Sequence, residues 1–153
     1  IGPGFWDSGN GQIFKRIDTG LHYHFPKTTG FVGVNDVVSA AICTMDSSTK
    51  NEQYIVVAEN LKFKKVLEMI AKSIDKPAPK RPLKPWMVFI GWIYQSIAGM
   101  LFGKKRQIAK KDIKALFAHT FYSNQKLVSE FNFKFTPIQA VIHQTGEIFR
   151  EEK

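Results

Sequence analysis

The stretch Tyr54–Ala58, "YIVVA", most constrains what this chain can become. Five consecutive β-forming or apolar residues offer no polar face to solvent, as in a strand covered on both sides within a parallel sheet. Leu61, Val66, Leu67, Ile70 and Ile74 then recur near the 3.6-residue period, which predicts a helix opened by Asn60 as its cap. Strand feeding helix sets the class as α/β.

The flanking segments extend that order. Ile13, Phe14 and Ile17 between Ser8 and Gly20 predict a short helix. "LHYHFPKTTGFVGVND" predicts two short strands joined as a hairpin around Pro26. Asn35 is read as the cap of a helix over 36–45, with Val37, Ala40, Ala41 and Thr44 on its packing face. Prolines 77, 79, 82 and 85 forbid a helix and favour an extended, edge-strand connector. Helices are expected near 110–118 and from Thr136, with Pro137 at the first helical position, to about Glu151.

Residues 86–102 carry no Asp, Glu, Lys, Arg or His, but seventeen residues fall short of the roughly 20 needed to span a bilayer. Gly91, Gln95, Ser96 and Gly99 interrupt them. A buried helix with Trp86, Phe89, Ile90, Ile93, Ile97 and Leu101 inward is therefore favoured over membrane contact.

A net charge of +9 draws anions, so the placement of the basic residues matters. They concentrate at 76–84 and 104–114, with none of the interleaved aromatics that stack exposed bases, and nucleic acid is not expected as a partner. The lone Cys43 permits no internal disulfide and suits a reducing cytoplasm. Thirteen Phe, three Trp and four Tyr require a core or a ligand site to hide them.

Candidate chemistry is sparse. Tyr122 and Lys126 have the Tyr-x-x-x-Lys spacing in which an ammonium one helical turn away lowers a phenol's pKa. Such a dyad needs a nicotinamide beside it, and no strand here opens through a three-glycine turn into a helix, so both are read as structural. His22 and His24 alternate on one strand face with no third ligand near them; they are read as exposed, and no metal is expected. No catalytic residue is assigned.

Four stretches in order resemble the C-terminal half of an extended short-chain dehydrogenase/reductase, the NAD-dependent epimerase/dehydratase family: "GPG" at 2–4, "GFVGVNDVVSAAI", "QYIVVAENLKFKKVLEMIAKSI" and "FYSNQKLVSEFNFKFTPI". The resemblance implies a partial Rossmann-like fragment with a late parallel strand and a mostly helical substrate-binding lobe. It makes 1–153 a single C-terminal portion whose dinucleotide-binding part lies before Ile1. It puts Gly2, Pro3 and Gly4 near the cofactor, NAD or NADP in the full-length parent and not bound tightly by this portion alone. It puts Phe5, Trp6 and Phe31 against a small-molecule substrate, a nucleotide sugar or an apolar carbonyl compound. The family's Arg-Asp before the aromatic is Thr29-Gly30 here, which removes a bidentate diphosphate anchor and leans toward the apolar compound. The alternative is a stand-alone basic module docking on an anionic or membrane surface through 76–114.

Overall fold

The computed structural model describes residues 1–90 and 116–153. Their order is α1 (Gln12–Asp18), β1 (Tyr23–His24), β2 (Thr28–Phe31), α2 (Val34–Met45), β3 (Glu59–Lys62), α3 (Phe63–Ser73), β4 (Arg81–Pro82), α4 (Gln125–Phe131) and α5 (Ile138–Glu151).

Three helices make the core. Helix α3 places Val66, Leu67, Ile70 and Ala71 on one face, and that stripe packs against Phe14 and Ile17 of α1 and Ile138, Ile142 and Phe149 of α5. Each such side chain taken fully out of water contributes about 1.5–3 kcal/mol, so this cluster is the main source of stability. Helices α3 and α5 meet where Gly146 faces Ser73. A Cβ on Gly146 would lie 2.2 Å from Ser73 Oγ and 2.6 Å from its Cβ, so only glycine allows this approach.

Two small sheets flank the helices. β1 and β4 pair in parallel, with Tyr23 opposite Arg81 and His24 opposite Pro82. β2 and β3 pair antiparallel, from Thr28 opposite Lys62 to Phe31 opposite Glu59. The α/β class holds, and the proline-rich connector does supply an edge strand. The expected hairpin does not form: β1 pairs with β4 and β2 with β3, so each finds a distant partner.

The parallel ladder is not at Tyr54–Ala58. Residues 52–57 form no ladder among the described residues, and pairing starts only where Ala58 N donates to Phe31 O at 2.8 Å. The reason is geometric. β2 runs out after Phe31, where the chain turns through Gly33 into α2, so among the described residues no strand continues the ladder beside Val57.

Helix starts also shift. α3 begins at Phe63 after Lys62, because Asn60 is held in β3 with its amide turned to Tyr122. α2 begins at Val34 after Gly33, without a side-chain cap from Asn35. Its buried positions are Asp36 and Ala40, whereas Val37 and Ala41 are exposed, a rotation away from the expected face. α4 was not foreseen; Asn132 ends it in the left-handed region at φ 48°, where Asn is among the tolerated residues.

Residues 85–90 are helical, with Val88 buried. Trp86, Phe89 and Ile90, expected inward, are exposed. The rest of the 86–102 reading, the basic run at 104–114 and most of the 110–118 helix lie outside the described residues. No helix among the described residues is long and apolar enough to cross a membrane.

Candidate functional site

The glycine-rich turn at the start of the chain is held beside the junction of β2 and α2. The Ile1 nitrogen donates to Val32 O at 2.6 Å, and Val34 N donates to Ile1 O at 2.7 Å. Gly2 then lies so close to Val34 that a Cβ would stand 2.4 Å from Val34 Cγ1. After Gly4 the backbone stays left-handed at Phe5, φ 54°, an unfavourable conformation for a bulky side chain. Phe5 is 86% exposed, so little packing repays the strain. Uncompensated strain of this kind clusters at binding sites.

Gly2, Pro3, Gly4 and Phe5 line one recess of about 360 Å³, closed by residues 8–11 and Val34. No charged side chain lines it. Its walls are glycine backbone, Ile1, Pro3, Val34 and the Phe5 ring, with Ser8 and Asn10 as the polar side chains, so it offers neutral hydrogen-bonding groups and no side-chain cation to pair with a pyrophosphate.

Trp6 and Phe31 do not line that recess. Trp6 turns inward, edge-on to Phe14 at 5.8 Å and Phe149 at 4.9 Å, and its indole N–H donates to Glu152 Oε2 at 2.6 Å. Phe31 is half-buried and stacks on Phe63 at 6.3 Å. The structure therefore brings four of the six nominated residues together and seats the other two against the core.

A second hollow of about 450 Å³ lies where residues 20–23 face 77–81, with His22, Tyr23, Lys80 and Arg81 in its wall. His22 is exposed as expected, but His24 is buried and its Nδ1 has no hydrogen-bond partner among the described residues. Among the described residues no group of three or more His, Cys, Asp or Glu is placed to hold a metal ion.

Tyr122 and Lys126 serve to fasten segments. Asn60 donates its amide to Tyr122 O at 2.8 Å and accepts Tyr122 N at 2.9 Å. Lys126 pairs with Glu52 at 2.5 Å and lies 4.7 Å from the centre of the Tyr54 ring. The hydrogen bond to Glu52 holds the Lys126 ammonium above its ordinary pKa, and the bond from Tyr54 to Glu130 raises the phenol.

Two carboxylates in this frame were missed as positioning groups. Asp36 accepts Thr136 N at 2.9 Å and Thr136 Oγ1 at 2.8 Å, and Glu59 accepts Ile138 N at 2.8 Å, so between them they anchor the start of α5. The Thr-Pro pair signals a helix start whose N–H groups need acceptors. It does not say which distant residues supply them.

No family model and no curated protein matches the chain. Its fold does match solved structures. A nucleoside-diphosphate-sugar epimerase from Pseudomonas aeruginosa superposes with a TM-score of 0.72 at 15% identity, over 99% of this chain and 45% of that one. UDP-glucuronic acid 4-epimerase from Bacillus cereus, solved with NAD, gives 0.63 at 11% identity, over 99% of this chain and 42% of that one. RMD from Pseudomonas aeruginosa, solved with NADPH, gives 0.63 at 16% identity, over 100% and 46%. The likeness is one of fold, and this chain spans less than half the length of each of those proteins.

Proposed function

We propose that this chain is the C-terminal, substrate-side lobe of an NAD(P)-dependent epimerase/dehydratase or carbonyl reductase in the cytoplasm, a single portion whose nucleotide-binding part is carried elsewhere. The observation that carries the reading is the superposition of nearly the whole chain on less than half of an epimerase. The recess at Gly2–Phe5, lined by no charged side chain, supports it, because a neutral nicotinamide ring needs close approach of glycine backbone.

On this reading NAD or NADP, held mainly by the other part, supplies hydride transfer. The residues here do the rest by position. Gly2, Pro3 and Gly4 shape the wall near the ring. Phe5 offers an exposed aromatic face to the substrate and keeps water from the reacting carbon. Trp6 and Phe31 back that wall through the core. The substrate is a nucleotide sugar or an apolar carbonyl compound, and Thr29-Gly30 leaves no guanidinium at that point to grip a diphosphate, which favours the second.

The test is turnover. The 153-residue chain alone should oxidise or reduce no alcohol or carbonyl with added NAD(H) or NADP(H), and joined to the polypeptide encoded before Ile1 it should do so. Turnover by the lone chain, or a joined protein that binds neither nucleotide, would overturn the reading.

A further inference from the structure

The charge of this chain is segregated. From Lys76 to Lys111 the sequence holds nine Lys and Arg and no Asp or Glu. The whole chain has 22 basic and 13 acidic residues, so outside that segment 13 face 13, and the entire net charge of +9 belongs to the segment. Within its described part Lys76 pairs with Asp18, whereas Lys80, Arg81 and Lys84 are exposed and meet no carboxylate among the described residues. Lys80 and Arg81 border the hollow shared with His22 and Tyr23, and no acidic side chain lines it.

An apolar face follows directly on these cations. Residues 85–90 are helical, and Trp86 and Ile90, four apart, fall on one side of that turn at 59% and 55% exposed, with Phe89 at 50% beside them. The face is held outward by what lies behind it. Val88 is buried, Met87 N donates to Lys84 O at 3.0 Å, and Leu83 N donates to His24 O at 2.8 Å, which ties the entry of the turn to β1. The outward turn of Trp86 reverses the burial that its sequence predicts.

We infer that residues 80–90 form a peripheral docking surface for a bilayer rich in anionic phospholipid, with Trp86 and Ile90 entering the boundary between headgroups and hydrocarbon while Lys80, Arg81 and Lys84 pair with headgroup phosphates. The occupant follows from the combination. Charge alone attracts any polyanion, and an apolar face alone accepts any apolar partner. Adjacent in one segment, they match a surface that is anionic outside and apolar within. Tryptophan suits that boundary because its ring is apolar and its N–H is polar. Stacking on nucleic acid needs aromatics interleaved with the cations, and here they form separate blocks. The sequence continues the pattern: 91–102 carries no Asp, Glu, Lys, Arg or His, and Lys104, Lys105 and Arg106 follow, so cations bracket the apolar block. The inference does not rest on the reading of the chain as one lobe of an enzyme.

Flotation of the purified 153-residue chain with vesicles tests this. The chain should rise with vesicles of phosphatidylcholine mixed with phosphatidylserine, stay behind with phosphatidylcholine alone, and dissociate in high salt, which screens exposed charges. Joint replacement Lys80→Gln, Arg81→Gln and Lys84→Gln should weaken binding about 100-fold. Trp86→Ser with Ile90→Ser should weaken it at least about 10-fold and, because both side chains are exposed, leave the melting temperature of the free chain unchanged. Trp86→Phe should keep flotation and lose part of the blue shift of tryptophan emission on binding. The inference is overturned by a chain that does not float with anionic vesicles or floats equally with neutral ones. It is also overturned by poly-glutamate or RNA binding as tightly as the vesicles, by a serine pair that lowers the melting temperature, or by either set of changes leaving flotation intact. Failure here leaves the enzyme reading untouched, since turnover by the joined protein needs no vesicle, and the reverse holds as well.

Discussion

Asp36 accepts both the main-chain N–H and the hydroxyl of Thr136, at 2.9 and 2.8 Å, across a separation of 100 residues. The carboxylate is buried, and the contact ties the first turn of α2 to the start of α5. Bonds to a charged acceptor are worth about 1.5–3 kcal/mol, and a buried donor left without one costs a similar amount. Asp36→Ala should therefore destabilise the chain by about 3 kcal/mol. Thr136→Val should cost less, because the main-chain N–H keeps its acceptor. Urea unfolding of both single variants and the double variant measures the coupling, and a coupling below about 0.5 kcal/mol would show that the two residues do not act as a unit.

The crossing of α3 and α5 at Gly146 is a packing prediction. With Ser73 Oγ at 2.2 Å from the site of a Cβ, Gly146→Ala forces the helices apart and should cost about 1–3 kcal/mol, despite alanine's better helix propensity. Adding Ser73→Ala removes the oxygen and leaves Ser73 Cβ at 2.6 Å, so rescue should be partial. Adding Ser73→Gly should recover more. Thermal unfolding of the three variants orders them, and an unaltered melting temperature for Gly146→Ala would contradict the close approach.

Phe5 carries backbone strain that packing of its side chain does not repay. Its left-handed backbone is costly for phenylalanine and free for glycine, and its ring makes almost no contact with the core. Phe5→Gly should therefore keep or raise the melting temperature of the chain, though the more flexible unfolded state offsets part of the gain. If the ring meets substrate, the same change in the assembled enzyme should raise KM several-fold. A stabilised variant with unchanged KM would assign Phe5 to neither role.

The helical core was legible because its signal is local and repeated. Val66, Leu67 and Ile70 fall at helical spacing, and Phe14 and Ile17 do the same in α1, so burial follows from pattern alone. Strand pairing was not legible in this way. Tyr54–Ala58 has the stronger β composition, yet Glu59–Lys62 holds the ladder, because register is set by where β2 ends and not by propensity. The same holds at the recess. Gly2, Pro3 and Gly4 announce a turn, whereas the opposite fates of Phe5 and Trp6 depend on a backbone angle at one residue and on Glu152 waiting for an indole N–H. Side chains that act across the chain, Asp36, Glu59 and Asn60, leave no periodic trace.

The acid limb of the stability curve should depend on Asp18. It accepts from Lys153 at 2.7 Å and faces Lys76 at 3.4 Å, and the Lys153 hydrogen bond, with smaller help from Lys76, holds its carboxyl below the ordinary range against a partial loss of hydration. A carboxyl whose pKa is lower in the folded state than in the unfolded one stabilises above the unfolded value, about 3.9, and loses that contribution as pH falls through the folded value. Both lysines are substantially exposed, so the contribution near neutrality is about 0.5 kcal/mol, a difference of about 1–2 °C for a chain of this size. Asp18→Asn removes the titration. Wild type and variant should differ by that amount at pH 7, converge below pH 4, and draw together in high salt, which screens the pairs. Melting curves that stay parallel down to pH 2.5 would place the acid sensitivity elsewhere.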